Sequence, residues 1–286
     1  MLNPKRPVRA AIRFARAWLA EKEVEPEIDC GSPPFSFDNA NCFFKKLVRQ
    51  RKLRRPNYLW GALQGMNLAK VLGIPKVSFV EFGVAGGNGL TALESIAENL
   101  STVFNVEVAI HGFDALAGMP KAVDARDLPN LWREGFYPMN QEELKQKLKI
   151  AKLHLGLVQD TVPAFLQTKP APVAFVAFDL CFYSSTIQAF QLFEADPSLL
   201  LPRPYCFFRN ILAPTIGDFN GERLAISEFN SNHKMRKLSK IYGLEHYVGP
   251  DIERWVDQYY MAYILDHPSF GSYDGLIREA ALPLRG

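Results

Sequence analysis

The sequence lacks any apolar run long enough to cross a membrane. No stretch of 18 or more apolar residues occurs in its 286 positions, whereas a spanning helix needs about 20. A large charge of either sign is also missing, because 33 Lys and Arg stand against 30 Asp and Glu. We therefore expect neither a membrane nor nucleic acid as a partner.

Cysteine is scarce. Cys30, Cys42, Cys181 and Cys206 lie far apart and form no CxxC pair, which argues against a zinc site and against a disulfide framework. The cysteine usage thus predicts a reduced, cytoplasmic protein. Internal repeats and low-complexity segments are absent from the sequence.

What is present is the composition of a globular chain, 48% hydrophobic and 22% charged. We expect a helical extension or lid over residues 1–55 and one large α/β domain over residues 56–286. The first 20 residues are basic and helical in pattern, which favours a docking helix over a transit peptide or a surface-binding helix. A second basic run, KKLVRQRKLRR, is interleaved with apolar residues and predicts an amphipathic helix with a solvated basic face.

Strand and helix patterns alternate along the main domain. Near-continuous apolar runs predict strands at residues 77–82, 106–113, 152–158, 172–178 and 204–208. Helices are predicted between them, at residues 90–100, 141–148, 162–167 and 184–193. GERLAISEFNSNH predicts a further helix, and IYGLEHY and QYYMAYILDH predict two late strands. The fold class is therefore α/β, a doubly wound and mostly parallel seven-stranded sheet.

The most informative stretch is VSFVEFGVAGGNGL, residues 77–90, where the first predicted strand meets a helix. Its glycines stand at offsets zero, three, four and six, whereas the dinucleotide fingerprint needs zero, two and five. Glu81 lies two residues before the first glycine and would disfavour a phosphate at the helix N-terminus. A cationic ligand without phosphate fits better, and S-adenosylmethionine is such a ligand. A glycine turn with a purely structural role is the alternative.

A second acid supports this interpretation. HGFDALAGMP places Asp114 at the end of the second strand, where an acidic residue meets ribose hydroxyls in doubly wound sheets. A loop aspartate that caps a turn is the alternative. Two acids at successive strand ends favour a nucleoside cofactor.

The chain resembles class I S-adenosylmethionine-dependent methyltransferases of the macrocin O-methyltransferase type, which methylate hydroxyls on sugars of natural products. The resemblance extends from about residue 55 to 268 and rests on these stretches in order: RPNYLWG, VEFGVAGGNGL, GFDALAGMP, FDLCFYSST, GERLAISEFN and DHP. It implies a Rossmann-like methyltransferase fold for residues 56–286. The predicted cofactor-binding residues are Glu81, Gly83, Val84, Ala85, Gly86, Asn88, Gly89 and Asp114.

The resemblance also implies a divalent metal such as Mg²⁺, and here the sequence departs from the pattern. The first expected metal ligand is present as Asp179, but Cys181 replaces the second aspartate of that segment. At the end of strand five, Arg209 and Asn210 stand where two aspartates are expected. Asp179 and Asn210 are thus the candidate metal ligands of a weak site. If Arg209 points inward it should exclude a dication and pair with Asp179; if it points outward, a weak site remains.

Asp179 is also the best candidate for a general base, with Arg209 as the partner of the oxyanion. His111, His233, His246 and His267 are alternative bases. The expected function is an O-methyltransferase that acts on a sugar or other polyhydroxylated small molecule. A catalytically impaired cofactor-binding scaffold and, with less support, a nicotinamide-dependent oxidoreductase are the alternatives. The sequence is compatible with a homo-oligomer and does not identify the acceptor.

Overall fold

The computed structural model describes residues 29–50, 53–212, 215–248, 254–272 and 274. The helix predicted in the first 20 residues lies outside them. The described part of the chain forms these α-helices: α1 Phe37–Arg49, α2 Pro56–Val71, α3 Asn88–Phe104, α4 Gln141–Lys147, α5 Val158–Gln167, α6 Tyr183–Ala189, α7 Gly221–Asn232 and α8 Leu244–Val248.

One seven-stranded sheet forms the centre of the described residues. Its strands are β1 Lys76–Phe82, β2 Glu107–Asp114, β3 Lys152–Leu155, β4 Val173–Phe178, β5 Leu200–Phe208, β6 Arg236–Lys240 and β7 Tyr259–Ile264. They lie in the order β3-β2-β1-β4-β5-β7-β6. Strands β1 to β5 are parallel, and β7 runs antiparallel to both β5 and β6. The predicted doubly wound, mostly parallel sheet is confirmed.

Each face of the sheet carries its own helices, because apolar side chains of the central strands point alternately to either side. On one face, Phe79, Phe175 and Phe207 pack with α1, α2 and α3. On the other face, Phe178 and Phe208 pack with α5, α6 and α7. This two-layer burial explains why β4 has no polar residue: all six of its positions are buried.

The N-terminal cysteines correct one prediction. Cys30 and Cys42 form a disulfide, with their Cα atoms 5.7 Å apart. The loop between them, with its two prolines, folds back so that residues 12 positions apart meet, and spacing alone did not reveal this. Cysteine usage therefore no longer indicates a reduced, cytoplasmic protein.

The last strands of the sheet correct a second prediction. IYGLEHY was predicted as a strand, but the strand is the preceding segment, β6, and the short helix α8 follows. Strand β6 is an edge strand, and among its side chains Leu238 is the buried apolar one. Charged residues are typical of an exposed edge strand, and here they obscure the apolar–polar alternation by which a strand is predicted. QYYMAYILDH does contain β7, as predicted.

No helix in the described ranges combines the length and the apolar character that a membrane crossing requires.

Candidate cofactor and catalytic site

The candidate site lies where the parallel strands end. The backbone N–H of Gly83 donates to the carbonyl of Phe113 at 2.9 Å, and that of Asp179 donates to Phe82 at 2.8 Å. The backbone N–H of Arg209 donates to Phe178 at 2.9 Å. These bonds continue the sheet by one residue past each strand end. They bring the predicted acid and glycine residues side by side at the edge where doubly wound sheets bind ligands.

Glycine is required at two positions of the corner after β1. Gly83 has φ of +82°, and a Cβ there would overlap the carbonyl oxygen of Asp179. A Cβ on Gly89 would overlap the carboxylate of Glu81. The backbone of the corner therefore approaches both acids as closely as a glycine allows.

Glu81 is buried below this corner, with 2% of its surface exposed. Its Oε1 accepts a hydrogen bond from the Tyr58 hydroxyl at 2.8 Å, while its Oε2 has no hydrogen-bond partner among the described residues. Burial raises the pKa of Glu81 to about 8, with Tyr58 and Arg55 opposing the increase. The carboxyl group is thus held neutral near pH 7 unless a positive charge comes to it.

Asp114 connects the corner to the second strand end. Its Oδ2 accepts the backbone N–H of Ala85 at 2.8 Å, and its Oδ1 accepts that of Leu116 at 2.7 Å. Ala85 has φ of +45°, and this hydrogen bond stabilises that unusual backbone conformation. Each carboxylate oxygen keeps a further lone pair for a hydroxyl group.

At the ends of β4 and β5, the Arg209 side chain turns toward Asp179, with 52% of its surface exposed. Its Nε lies 3.3 Å from Asp179 Oδ2, and the Asn210 side-chain amide donates to Asp179 Oδ1 at 3.4 Å. Burial raises the pKa of Asp179, while the charges of Arg209 and Arg55 oppose the increase. The pairing of Arg209 with Asp179 is the one predicted for an inward Arg209, but the arginine side chain is half exposed. Within the described ranges, no three His, Cys, Asp or Glu residues cluster in a way that could hold a metal ion.

Two further groups lie next to this pair. Burial raises the pKa of the Cys181 thiol to about 12, and the charges of Asp179 and Glu222 add to the increase. Glu222, at the start of α7, is buried and its pKa is raised well above the usual value by burial and by Asp179. Burial thus disfavours the charged form of both groups, and the ion pair at this end of the site is that of Asp179 and Arg209.

A cavity of about 840 Å³ is bordered by the glycine corner and by the ends of β2, β4 and β5. Its lining includes every predicted cofactor-binding residue, Glu81, Gly83, Val84, Ala85, Gly86, Asn88, Gly89 and Asp114, together with Asp179, Arg209 and Asn210. Its volume is within the range of small-molecule sites. A Cβ on Gly86 would touch nothing closer than 3.9 Å, so this residue faces open space. The structure therefore brings the predicted site residues together around one space.

The four histidines considered as bases do not line that cavity. His111 contacts His154 between β2 and β3, with a 3.1 Å nitrogen–nitrogen distance. His233 lies against Phe229 and Glu194. His246 lies in α8 next to Glu245, and His267 accepts the backbone N–H of Ser269 in the loop after β7. All four therefore lie outside the space that Asp179 lines.

A long segment, residues 115–140, lines part of the cavity and carries residues that sequence reasoning missed. Asp127 is fully buried and accepts hydrogen bonds from the Ser184 backbone and hydroxyl, each at 2.8 Å, and from the Val123 backbone. These bonds fasten the loop to the first turn of α6. The indole of Trp132 borders the cavity, and its Nε1 has no hydrogen-bond partner in the described residues. The only signal in the sequence was the mixed aromatic and charged composition of the loop.

Fold and site together define a doubly wound α/β protein with a ligand cavity at the carboxyl ends of its parallel strands. No family model and no curated protein matches the chain.

Among solved structures, the chain is similar to the O-methyltransferase NovP, with 16% identity over 62% of this chain and 72% of that one and a TM-score of 0.48. It is also similar to the calicheamicin methyltransferase CalS11, with 21% identity over 71% and 88% of the two chains and a TM-score of 0.46. A third similar structure is the O-methyltransferase TomG from Streptomyces achromogenes in complex with SAM, with 15% identity over 79% and 89% and a TM-score of 0.39. O-methyltransferases, the class that the sequence resembles, are thus found among its structural neighbours. The function proposed below is inferred from the residues of the site.

Proposed function

We propose that this protein is an S-adenosylmethionine-dependent O-methyltransferase that acts on a hydroxyl of a sugar or other polyhydroxylated small molecule. The observation that carries the proposal is Oε2 of Glu81, which is buried below the glycine corner of the cavity and has no hydrogen-bond partner in the part of the chain that the structure describes. A buried carboxyl oxygen without a partner is costly. An ammonium group from the ligand would donate a hydrogen bond to it and pair with its ionised form, whereas a phosphate would be repelled by that form.

The remaining residues fit the same cofactor. Gly83, Val84, Ala85, Gly86, Asn88 and Gly89 would receive its amino acid part along the backbone of the corner. Asp114 is positioned to accept hydrogen bonds from ribose hydroxyls, since its oxygens retain free lone pairs. When bound, S-adenosylmethionine supplies an electrophilic methyl group. The protein's task is to hold the acceptor oxygen in line with it and to exclude water.

Asp179 is the candidate general base. Because burial raises its pKa, the carboxylate accepts a proton more readily than an exposed aspartate. Asp179 would accept the proton of the acceptor hydroxyl at Oδ2 or Oδ1, the oxygens that contact Arg209 and Asn210 in this structure. The guanidinium of Arg209 would then stabilise the negative charge that develops on the acceptor oxygen. A positioned base of this kind contributes about 10²- to 10⁴-fold in rate.

The residues present do not fit a divalent metal. Among the described residues, Asp179 is the carboxylate that pairs with Arg209, and the second donor, Asn210, is neutral. A guanidinium about 4 Å from a cation costs on the order of 4 kcal/mol per unit of cation charge at an effective dielectric of 20. Arg209 therefore supplies the positive charge at this end of the site.

A catalytically impaired cofactor-binding scaffold is the second candidate. It is favoured by one observation, that both oxygens of Asp179 already have protein partners. Methyl transfer to any acceptor, lost in Asp179→Ala with cofactor affinity retained, would exclude it. A nicotinamide-dependent oxidoreductase is disfavoured by the glycine spacing and by Glu81.

The test is methyl transfer in EDTA. S-adenosylhomocysteine release would be measured with free sugars, glycosides and nucleotide sugars as acceptors. We expect turnover with at least one of them, unaffected by EDTA and lost in Asp179→Ala. Turnover that requires added Mg²⁺ would contradict the metal-free mechanism.

A further inference from the structure

Arg55 lines the cavity, and its charge acts on the two acids there, Glu81 and Asp179. It precedes α2, in the RPNYLWG stretch, with φ of 58° and ψ of 72°. This left-handed conformation is uncommon for a residue with a side chain. Its carbonyl accepts the backbone N–H groups of Tyr58 at 3.0 Å and Leu59 at 3.1 Å. The first turn of the helix thus fixes the backbone from which the side chain enters the cavity.

The Arg55 side chain lies against the ring of Tyr58. Its guanidinium carbon is 5.0 Å from the centre of the Tyr58 ring. The hydroxyl of the same Tyr58 is bound to Glu81, so one tyrosine connects the cation to the buried carboxyl. The positive charge of Arg55 is felt at Glu81 and at Asp179, where it lowers the pKa of each.

Arg55 differs from the other two arginines of the cavity. Arg126 pairs with Asp124 at 2.7 Å, and Arg209 pairs with Asp179 at 3.3 Å. Among the residues that the structure describes, Arg55 forms neither an ion pair nor a side-chain hydrogen bond, and its contact is the face of Tyr58. A guanidinium has five N–H donors in a planar fork. Those of Arg55 are available to a ligand in the cavity.

We propose that Arg55 binds the α-carboxylate of the amino acid part of the cofactor, while Glu81 binds its ammonium group. This inference rests on the proposed function. An unpartnered cation and an unpartnered carboxyl oxygen, joined through Tyr58, match the two charges of a zwitterionic amino acid. A planar carboxylate accepts two parallel bonds from a guanidinium. The pair would therefore select a cofactor that carries an intact amino acid.

The test compares two ligands on the full-length protein by calorimetry. S-adenosylhomocysteine has the amino acid part, whereas 5′-methylthioadenosine keeps the nucleoside and sulfur but lacks it. We expect Arg55→Gln to weaken S-adenosylhomocysteine binding by about 10- to 100-fold, the effect of losing a charged hydrogen-bond pair. Binding of 5′-methylthioadenosine should stay within about twofold of the wild type.

Two variants serve as controls. Arg54→Gln removes the same charge from the exposed neighbouring position and should leave both affinities unchanged. Arg55→Lys keeps the charge and should recover part of the lost affinity, which also checks that the site is folded. Equal losses for both ligands, or no loss for either, would overturn the inference.

The outcomes also separate this inference from the proposed function. If the wild type binds neither ligand, the cofactor proposal itself fails. If Arg55→Gln binds S-adenosylhomocysteine normally but shows a raised KM for the acceptor, Arg55 contacts the acceptor and the carboxylate assignment is wrong.

Discussion

The buried carboxyl of Glu81 makes cofactor binding depend on pH. In the free protein its pKa is raised to about 8, so below pH 8 it is mostly protonated. Pairing with an ammonium group requires the ionised form. Binding should therefore release a proton from Glu81, and affinity should rise with pH as long as the amino group of the ligand is itself charged. The substitution Glu81→Gln would remove both the charge and the titration, which isolates this effect.

The size of the effect follows from the pKa. Each pH unit below 8 costs about 1.4 kcal/mol to ionise the carboxyl. The ammonium group of the ligand stays charged over this interval, because the neighbouring carboxylate of the same amino acid part favours its protonated form. Between pH 6.0 and 7.5 the dissociation constant should fall by up to about 30-fold, which corresponds to 1.5 units of unfavourable ionisation.

Calorimetric titration with S-adenosylhomocysteine measures this directly. Titrations in two buffers with different ionisation enthalpies would report the number of protons released, expected to approach one at pH 6.5. In Glu81→Gln the affinity should be weaker at pH 7.5, and the dissociation constant should be nearly flat over the interval. Wild-type affinity that does not change with pH, or a variant that retains the wild-type slope, would refute the assignment of Glu81 to the ammonium group.

Three further predictions concern the metal, the loop and the buried histidines. The double substitution Arg209→Asp with Asn210→Asp adds two carboxylates beside Asp179, making three, and should create Mg²⁺ binding that calorimetry detects. If the double variant binds no more Mg²⁺ than the wild type does, Arg209 is not the residue that excludes the metal. Asp127→Ala should destabilise the fold by about 2–4 kcal/mol and raise hydrogen exchange in residues 115–140, whereas the exposed Asp124→Ala should have little effect; unchanged exchange would contradict the fastening role of Asp127. Burial and the neighbouring His154 and Lys152 lower the pKa of His111 to about 4 in the folded protein. In the unfolded chain the histidine has a pKa of about 6.5 and therefore takes up a proton first as the pH falls. The free energy of unfolding should decrease between about pH 6.5 and 4, by up to about 3 kcal/mol. Urea unfolding at pH 7.5 and 5.0 should show this loss in the wild type and a smaller one in His111→Gln, and an equal loss in both would assign the acid sensitivity elsewhere.

The central sheet could be predicted from the sequence because its strands are buried on both faces. VSFVEF and VAFVAF are uninterrupted apolar or small residues apart from Glu81, and such runs are typical of parallel strands. The exception, Glu81, was informative because a buried acid in such a run needs a ligand or a partner. Strand β6 could not be predicted, since an edge strand with the sequence RKLSK has one buried apolar residue to signal it.

The pairings within the site were less predictable, because they join residues far apart in the chain. The bond from Tyr58 to Glu81, the attachment of Asp127 to Ser184 and the disulfide of Cys30 depend on how loops fold back. Arg209 was predicted in two orientations, and the choice between them depends on the backbone at the end of β5. Local sequence determines which residues reach the strand ends, while side-chain partners are selected by the three-dimensional packing.

The central claim is that the cavity above Glu81 binds S-adenosylmethionine without a metal. Titration of EDTA-treated protein with S-adenosylhomocysteine at pH 7.5, followed by calorimetry, tests it most directly. We expect one saturable site per chain, with an affinity that added Mg²⁺ does not change, and no binding of NADH under the same conditions. Absence of S-adenosylhomocysteine binding at high micromolar concentration, or binding only after Mg²⁺ is restored, would contradict the claim.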